Sequence, residues 1–170
     1  MRLRAVIAKI AAFKGVPTPE DVDAFLDECV PAIVTSETFQ QAFGITEAEM
    51  EGLYAEGYEF YQKDHFTEAL APFRMLVYLN PFVIKYWMGL GATLQLVERY
   101  ENALKCYSVA AMLDCNDPYP HFHAYECYMG LHNEEEAEKA LRLAYKRAKQ
   151  HPTYGPLRAT IEQLRQPVTT

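Results

Sequence analysis

Apolar residues recur along this chain three or four positions apart in almost every segment, with polar residues filling the positions between. Leu3, Val6, Ile7, Ile10 and Phe13 form one such stripe, the spacing that gathers side chains on a single face of an α-helix. The same periodicity predicts helices near 2–13, 19–29, 36–43, 47–62, 66–79, 82–96, 100–113, 119–131, 134–149 and 154–165. No segment keeps the two-residue alternation of a strand, so the expected fold is all-α. Helix ends are also marked. Thr18-Pro19-Glu20-Asp21 places a cap, a proline at the first helical position and acids in the first turn, where free amides and the helix dipole favour them. Thr46 with Glu49, and Asn133 with Glu136, have capping-box spacing, and Pro81, Pro118 and Pro152 fall between periodic segments.

The pattern also repeats over a longer distance. Leu53, Gly57, Ala69 and Phe73 are followed 34 positions later by Trp87, Gly91, Ala103 and Tyr107, and after another 34 by His121, Tyr125, Ala137 and Leu141. Bulky, small, small and aromatic slots in this order, at this period, are the tetratricopeptide signature. Two antiparallel helices approach closely only where Gly or Ala removes a side chain from the contact. Gly57, Gly91, Ala69 and Ala103 supply those gaps. The third copy departs, with His121 in a bulky apolar slot and Tyr125 in a small one. The expected architecture is an α-solenoid of three helix pairs with N-terminal helices and a C-terminal capping helix. A segment 1–46 precedes the pairs 47–80, 81–117 and 118–150, a cap spans 154–166 with Leu157, Ile161 and Leu164 on one stripe, and a tail covers 167–170.

In such a stack the first helix of each pair lines the concave side. Counting from the packing slots, the inward positions are Glu51, Tyr54, Tyr58, Tyr61 and Gln62 in the first pair. In the second they are Lys85, Met88, Ala92, Gln95 and Leu96, and in the third Tyr119, Phe122, Glu126 and Met129. Tyr54, Tyr58 and Tyr61 share a face turned away from the small-residue contact, and so are not needed for packing within the pair. That stripe reads either as a wall for an extended or helical peptide, or as a surface packed under the N-terminal helices.

Composition narrows the function. With 170 residues, 50% hydrophobic and 23% charged, the chain is a soluble domain long enough to hold a core without metal or disulfides. Its net charge of −7 argues against nucleic acid as the main partner. From Pro19 to Leu70 there are 13 acids against Lys63 alone, and from Lys139 to Thr170 there are 7 bases against Glu162 alone, a split that fits oriented docking, self-association or two solvated faces. No run is long enough to span a membrane, and Lys9 interrupts the apolar stretch that would otherwise resemble an export signal. Cys29, Cys106, Cys115 and Cys127 lack CxxC spacing and read as reduced core thiols of a cytosolic protein. His123 and Cys127 lie one helical turn apart with His121 nearby, but no second half-site completes a metal centre and no acid completes a nucleophile. The expectation is no metal, no cofactor and no catalysis, with His123 a packing residue.

The stretch from Phe39 to about Ala148 resembles a narrower group, the class II chaperones of bacterial type III secretion, the family of SycD and IpgC. The resemblance is carried by Leu53-Tyr54-Ala55-Glu56-Gly57-Tyr58 with Tyr61-Gln62, by Gly89-Leu90-Gly91-Ala92, and by Asp117-Pro118 with Phe122-His123-Ala124 and Glu126-Cys127. It implies a non-enzymatic cytoplasmic chaperone that holds hydrophobic secreted translocator proteins, through an N-terminal segment with spaced Pro and Leu anchors, until secretion. Tyr54, Tyr58, Tyr61, Met88, Leu96 and Phe122 would then line the anchor pockets, and the segment before Phe39 would serve a homodimer. A scaffold or adaptor subunit of a secretion or pilus assembly is the alternative role for such repeats.

Overall fold

The computed structural model describes residues 38–165. Among them lie eight α-helices: α1 Phe39–Ala42, α2 Glu47–Gln62, α3 Phe66–Leu79, α4 Ile84–Leu96, α5 Tyr100–Leu113, α6 Tyr119–Gly130, α7 Glu134–Ala148 and α8 Gly155–Leu164, with a 3₁₀ turn at Pro152–Tyr154. No strand occurs among the described residues. The expected helices at 2–13 and 19–29, and with them Cys29 and the dimerisation segment before Phe39, lie outside the described residues.

Consecutive helices pack in order, α2 on α3 through to α8 on α7, and the first helices of neighbouring pairs also touch, α2 with α4 and α4 with α6. Local signals fix the ends. Thr46 and Glu49 form a reciprocal capping box, whereas Asn133 caps α7 one way only, accepting from the Glu136 amide. Between the two helices of every pair the chain turns through a residue in the left-handed region: Asp64, Glu98 and His132, at φ 59°, 59° and 55°. The amide after each bonds back five residues, His65 to Phe60, Arg99 to Leu94 and Asn133 to Tyr128, each at 2.9 Å. These are Schellman turns built without glycine, spaced by the same 34 residues as the packing slots.

Met50, Leu53, Phe73, Leu76, Leu79, Trp87, Leu90, Leu94 and Tyr107 form the centre of the core, each at most 2% exposed. The Trp87 indole donates to the Pro81 carbonyl at 2.6 Å, tying the second pair to the end of the first. Glycine contacts set the spacing. A Cβ on Gly91 would lie 2.7 Å from the Tyr107 ring, and one on Gly89 would lie 2.5 Å from Phe73 of the preceding pair. Gly57 is less constrained, its nearest neighbours lying at 3.2 and 3.3 Å.

A second cluster, Leu141, Ala144, Leu157 and Ile161, closes the C-terminal end, with Phe122 and Tyr125 packed against it. Tyr125 therefore fills space beside the cap. His121 is half-buried; burial and the neighbouring Arg147 guanidinium hold its imidazole below the usual value, in the neutral form. Two expectations change. Leu164, the last residue of α8, is 49% exposed although it shares the stripe, and Cys115 sits at the surface because its turn leaves the helix, while Cys106 and Cys127 are buried. Three of the seven bases of the C-terminal stretch are paired within single helices: Lys139 meets Glu135 and Glu136, Arg142 meets Glu138 and Arg158 meets Glu162.

Candidate functional site: the inner-helix groove

Helices α2, α4 and α6 present one continuous face. On α2 the helical repeat stacks Tyr54 on Tyr58 and Tyr58 on Tyr61, with ring centroids 6.3 and 6.4 Å apart and planes 7° from parallel. The expectation that all three stand clear of the pair holds only for Tyr58, which is 47% exposed. Tyr54 turns edge-on to Phe73 at 5.8 Å and Tyr61 edge-on to Phe66 at 5.6 Å, because both α3 rings reach past the small-residue contact. Burial pushes the phenols of Tyr54 and Tyr61 up, and that of the neighbouring Tyr86 up to about 12, so all remain neutral donors.

Charged and polar groups stand at two ends of this wall. At one, Lys85 of α4 reaches back to Glu51 of α2 at 2.5 Å and lies 4.8 Å from the centroid of the Tyr54 ring. At the other, the Tyr107 hydroxyl donates to Gln95 Oε1 at 2.8 Å, Gln95 Nε2 donates to Glu126 Oε2 at 3.0 Å, and His123 Nδ1 meets that same oxygen at 2.8 Å. His123 also stacks on Tyr107, with centroids 5.3 Å apart. Burial opposes the charge on Glu126, but the bonds from His123 and Gln95 prevail and hold its carboxyl below the ordinary glutamate value.

The structure thus joins Tyr54, Tyr58 and Tyr61 with Lys85 in one cluster and Gln95 with Glu126 in another. Met88 and Phe122 are half-buried, Phe122 edge-on to His123 at 6.0 Å. Gln62, Leu96 and Met129 mark the C-terminal ends of the three inner helices; all are exposed, Leu96 at 47% and Met129 at 45%. Sequence reasoning gave Tyr107 only a core role and left Tyr86 out of the site. No spacing in the sequence marks Tyr107, which reaches Glu126 through Gln95 and stacks on His123 across helices. Among the described residues no three His, Cys, Asp or Glu side chains converge as a metal site.

Comparison with known proteins bears on the family and the fold. The tetratricopeptide repeat family model matches residues 50–81 and 84–117. The chaperone protein SicA of Salmonella typhimurium is 30% identical over 134 residues, covering 79% of this chain and 81% of SicA. Among solved structures, a chain of the CopN–Scc3 complex superposes with a TM-score of 0.88 at 40% identity, covering 97% of this chain and 99% of that one. PcrH in complex with the chaperone binding region of PopD superposes at 0.69 with 35% identity, covering 71% and 91%. Repeat period, fold and relatives converge, and the chain belongs to the class II translocator chaperones of bacterial type III secretion, a tetratricopeptide-repeat family.

Proposed function

We propose that this chain holds an apolar segment of a secreted translocator protein along the face of α2, α4 and α6, keeping the client soluble and apart from its partners until export. The observation that carries the reading is the row of exposed apolar side chains on that face: Tyr58, Leu96 and Met129, one from each inner helix and each 45–47% exposed. PcrH, a relative of the same fold, is solved with the chaperone binding region of PopD. Spaced anchors of this kind suit an extended segment carrying Pro and Leu. Tyr54, Tyr61, Met88 and Phe122 back the anchors, and Gln62, Lys85, Gln95 and Glu126 form the polar rim.

The mechanism is burial. A membrane-inserting client left bare would aggregate or engage a partner early. At about 25 cal/mol per Å², covering a few hundred Å² yields several kcal/mol, much of it offset by ordering the client, so a short peptide binds at roughly micromolar Kd. The protein acts in the cytoplasm without catalysis, and the segment before Phe39 joins two copies. No described helix is long and apolar enough to cross a membrane.

Co-expression with an apolar translocator tests the reading. The client is expected in the soluble fraction, co-purifying stoichiometrically with the chaperone. A client that stays insoluble, or a chaperone found only with assembled apparatus as a scaffold would be, overturns it.

A further inference from the structure

Of the two inward carboxylates singled out above, Glu51 is neutralised by Lys85, whereas Glu126 meets no lysine or arginine, only the Gln95 amide and His123. Both hydrogen bonds to Glu126 fall on one oxygen, Oε2. Its orientation is fixed through a directional series: buried Tyr107 sets the Gln95 amide, Gln95 donates to Oε2, and His123, stacked on Tyr107, meets Oε2 from the other side. Oε1 is left with no partner among the described residues, and the side chain keeps 37% of its surface.

Position 126 lies two repeats, 68 residues, beyond Tyr58, with Ala92 midway. Ala92 offers only a methyl group at the position between them. Glu126 is near enough to act electrostatically on Tyr61. Aromatic rings on one side and an oriented carboxylate oxygen on the other make a site for a cation, attracted to both. Lys85 excludes a second cation from the opposite end of the wall.

We infer that Glu126, backed by Tyr58 and Tyr61, is a specificity-determining site that seats one lysine or arginine side chain of the client between its apolar anchors. This rests on the groove being the client site. The site adds a sign rule to binding that apolar anchors alone do not supply: a basic residue at the matching client position is favoured and an acidic one rejected.

The test uses synthetic twelve-residue peptides, capped at both ends, with a fixed Pro and Leu anchor set. Lysine, norleucine or glutamate is moved through each remaining position. Titrated against the full chain, one position is expected to favour lysine over norleucine by roughly fivefold, the upper range for a part-exposed ion pair, and to reject glutamate. In Glu126→Gln the ratio of lysine to norleucine affinity at that position falls to about one. Glu126→Asp, with the charge withdrawn by one methylene, keeps a reduced preference. If peptides bind but no position favours lysine, or the preference survives Glu126→Gln, the inference fails and the groove stands. If no peptide binds at all, both readings fall.

Discussion

Gly91→Ala isolates the contact that sets the distance between α4 and α5. The added methyl would lie 2.7, 3.0 and 3.1 Å from three atoms of the Tyr107 ring, well inside van der Waals contact. Tyr107 can shift only by straining the contacts that hold it. It is 1% exposed, its hydroxyl is bonded to Gln95 at 2.8 Å, and His123 stacks on it. Overpacking against a ring held in this way costs up to about 3 kcal/mol. Replacing a mid-helix glycine by alanine returns about 1 kcal/mol, so the net loss is about 2 kcal/mol. Gly57→Ala is the control. Its methyl meets Pro72 at 3.2 Å and Phe73 at 3.3 Å, a clash relieved by a few tenths of an ångström, so cost and helix gain roughly cancel. Urea unfolding followed by circular dichroism at fixed protein concentration reads the difference, expected as a midpoint about 1 M lower for Gly91→Ala at an m-value of about 2 kcal/mol/M. Equal midpoints for the two variants, or a Gly91→Ala protein as stable as the parent, would refute the packing argument.

Tyr58→Ala removes the one ring of the stack that stands clear of α3, and should weaken client peptide by about 1–2 kcal/mol in isothermal titration with an unchanged thermal melt; unaltered affinity excludes Tyr58 as an anchor. Glu98→Gly relieves a left-handed turn whose exposed side chain makes no described bond, and should stabilise by about 0.5 kcal/mol in the same urea assay; a loss would mean the turn is held by more than backbone geometry. Of the described cysteines, Cys115 should react first with iodoacetamide, since Cys106 and Cys127 are buried and burial pushes the Cys127 thiol up to about 12. Peptide mapping that finds Cys127 modified before Cys115 would contradict that burial.

The helix pairs were legible because each packing slot is a choice of residue size, and size is written in the sequence. Thr46 with Glu49 was readable for the same reason, as a local bond with a fixed spacing. Other features depend on atoms that spacing does not locate. Gly89 lies two residues from a recognised slot, yet it makes a closer approach than either slot glycine, Gly57 or Gly91, to Phe73 of the preceding pair; a contact between pairs has no signature within one repeat. The three turns at Asp64, Glu98 and His132 recur at the repeat period but share no residue type, so their common backbone was hidden. Among inward residues, face alone did not separate Tyr58 from Tyr54 and Tyr61. Their exposure is decided by Phe66 and Phe73 on the partner helix.

The same glycine that closes the second pair also governs the polar end of the groove, and this gives a prediction that stability alone does not. A methyl at position 91 displaces the Tyr107 ring, and with it the hydroxyl that orients the Gln95 amide. Freed of that bond, the amide has no reason to keep Nε2 on Glu126, and the carboxylate loses one of its two donors. The apolar anchors Tyr58, Leu96 and Met129 take no part in this hydrogen-bond series. Measured below its melting temperature, Gly91→Ala should therefore retain affinity for the norleucine peptide within about twofold while its preference for lysine declines, as expected when orientation rather than charge is lost. Gly57→Ala, whose methyl faces Pro72 and Phe73 instead, should leave that preference intact. A full lysine preference in Gly91→Ala would show that Glu126 is held without Tyr107, and would break the link drawn here between helix packing and client choice.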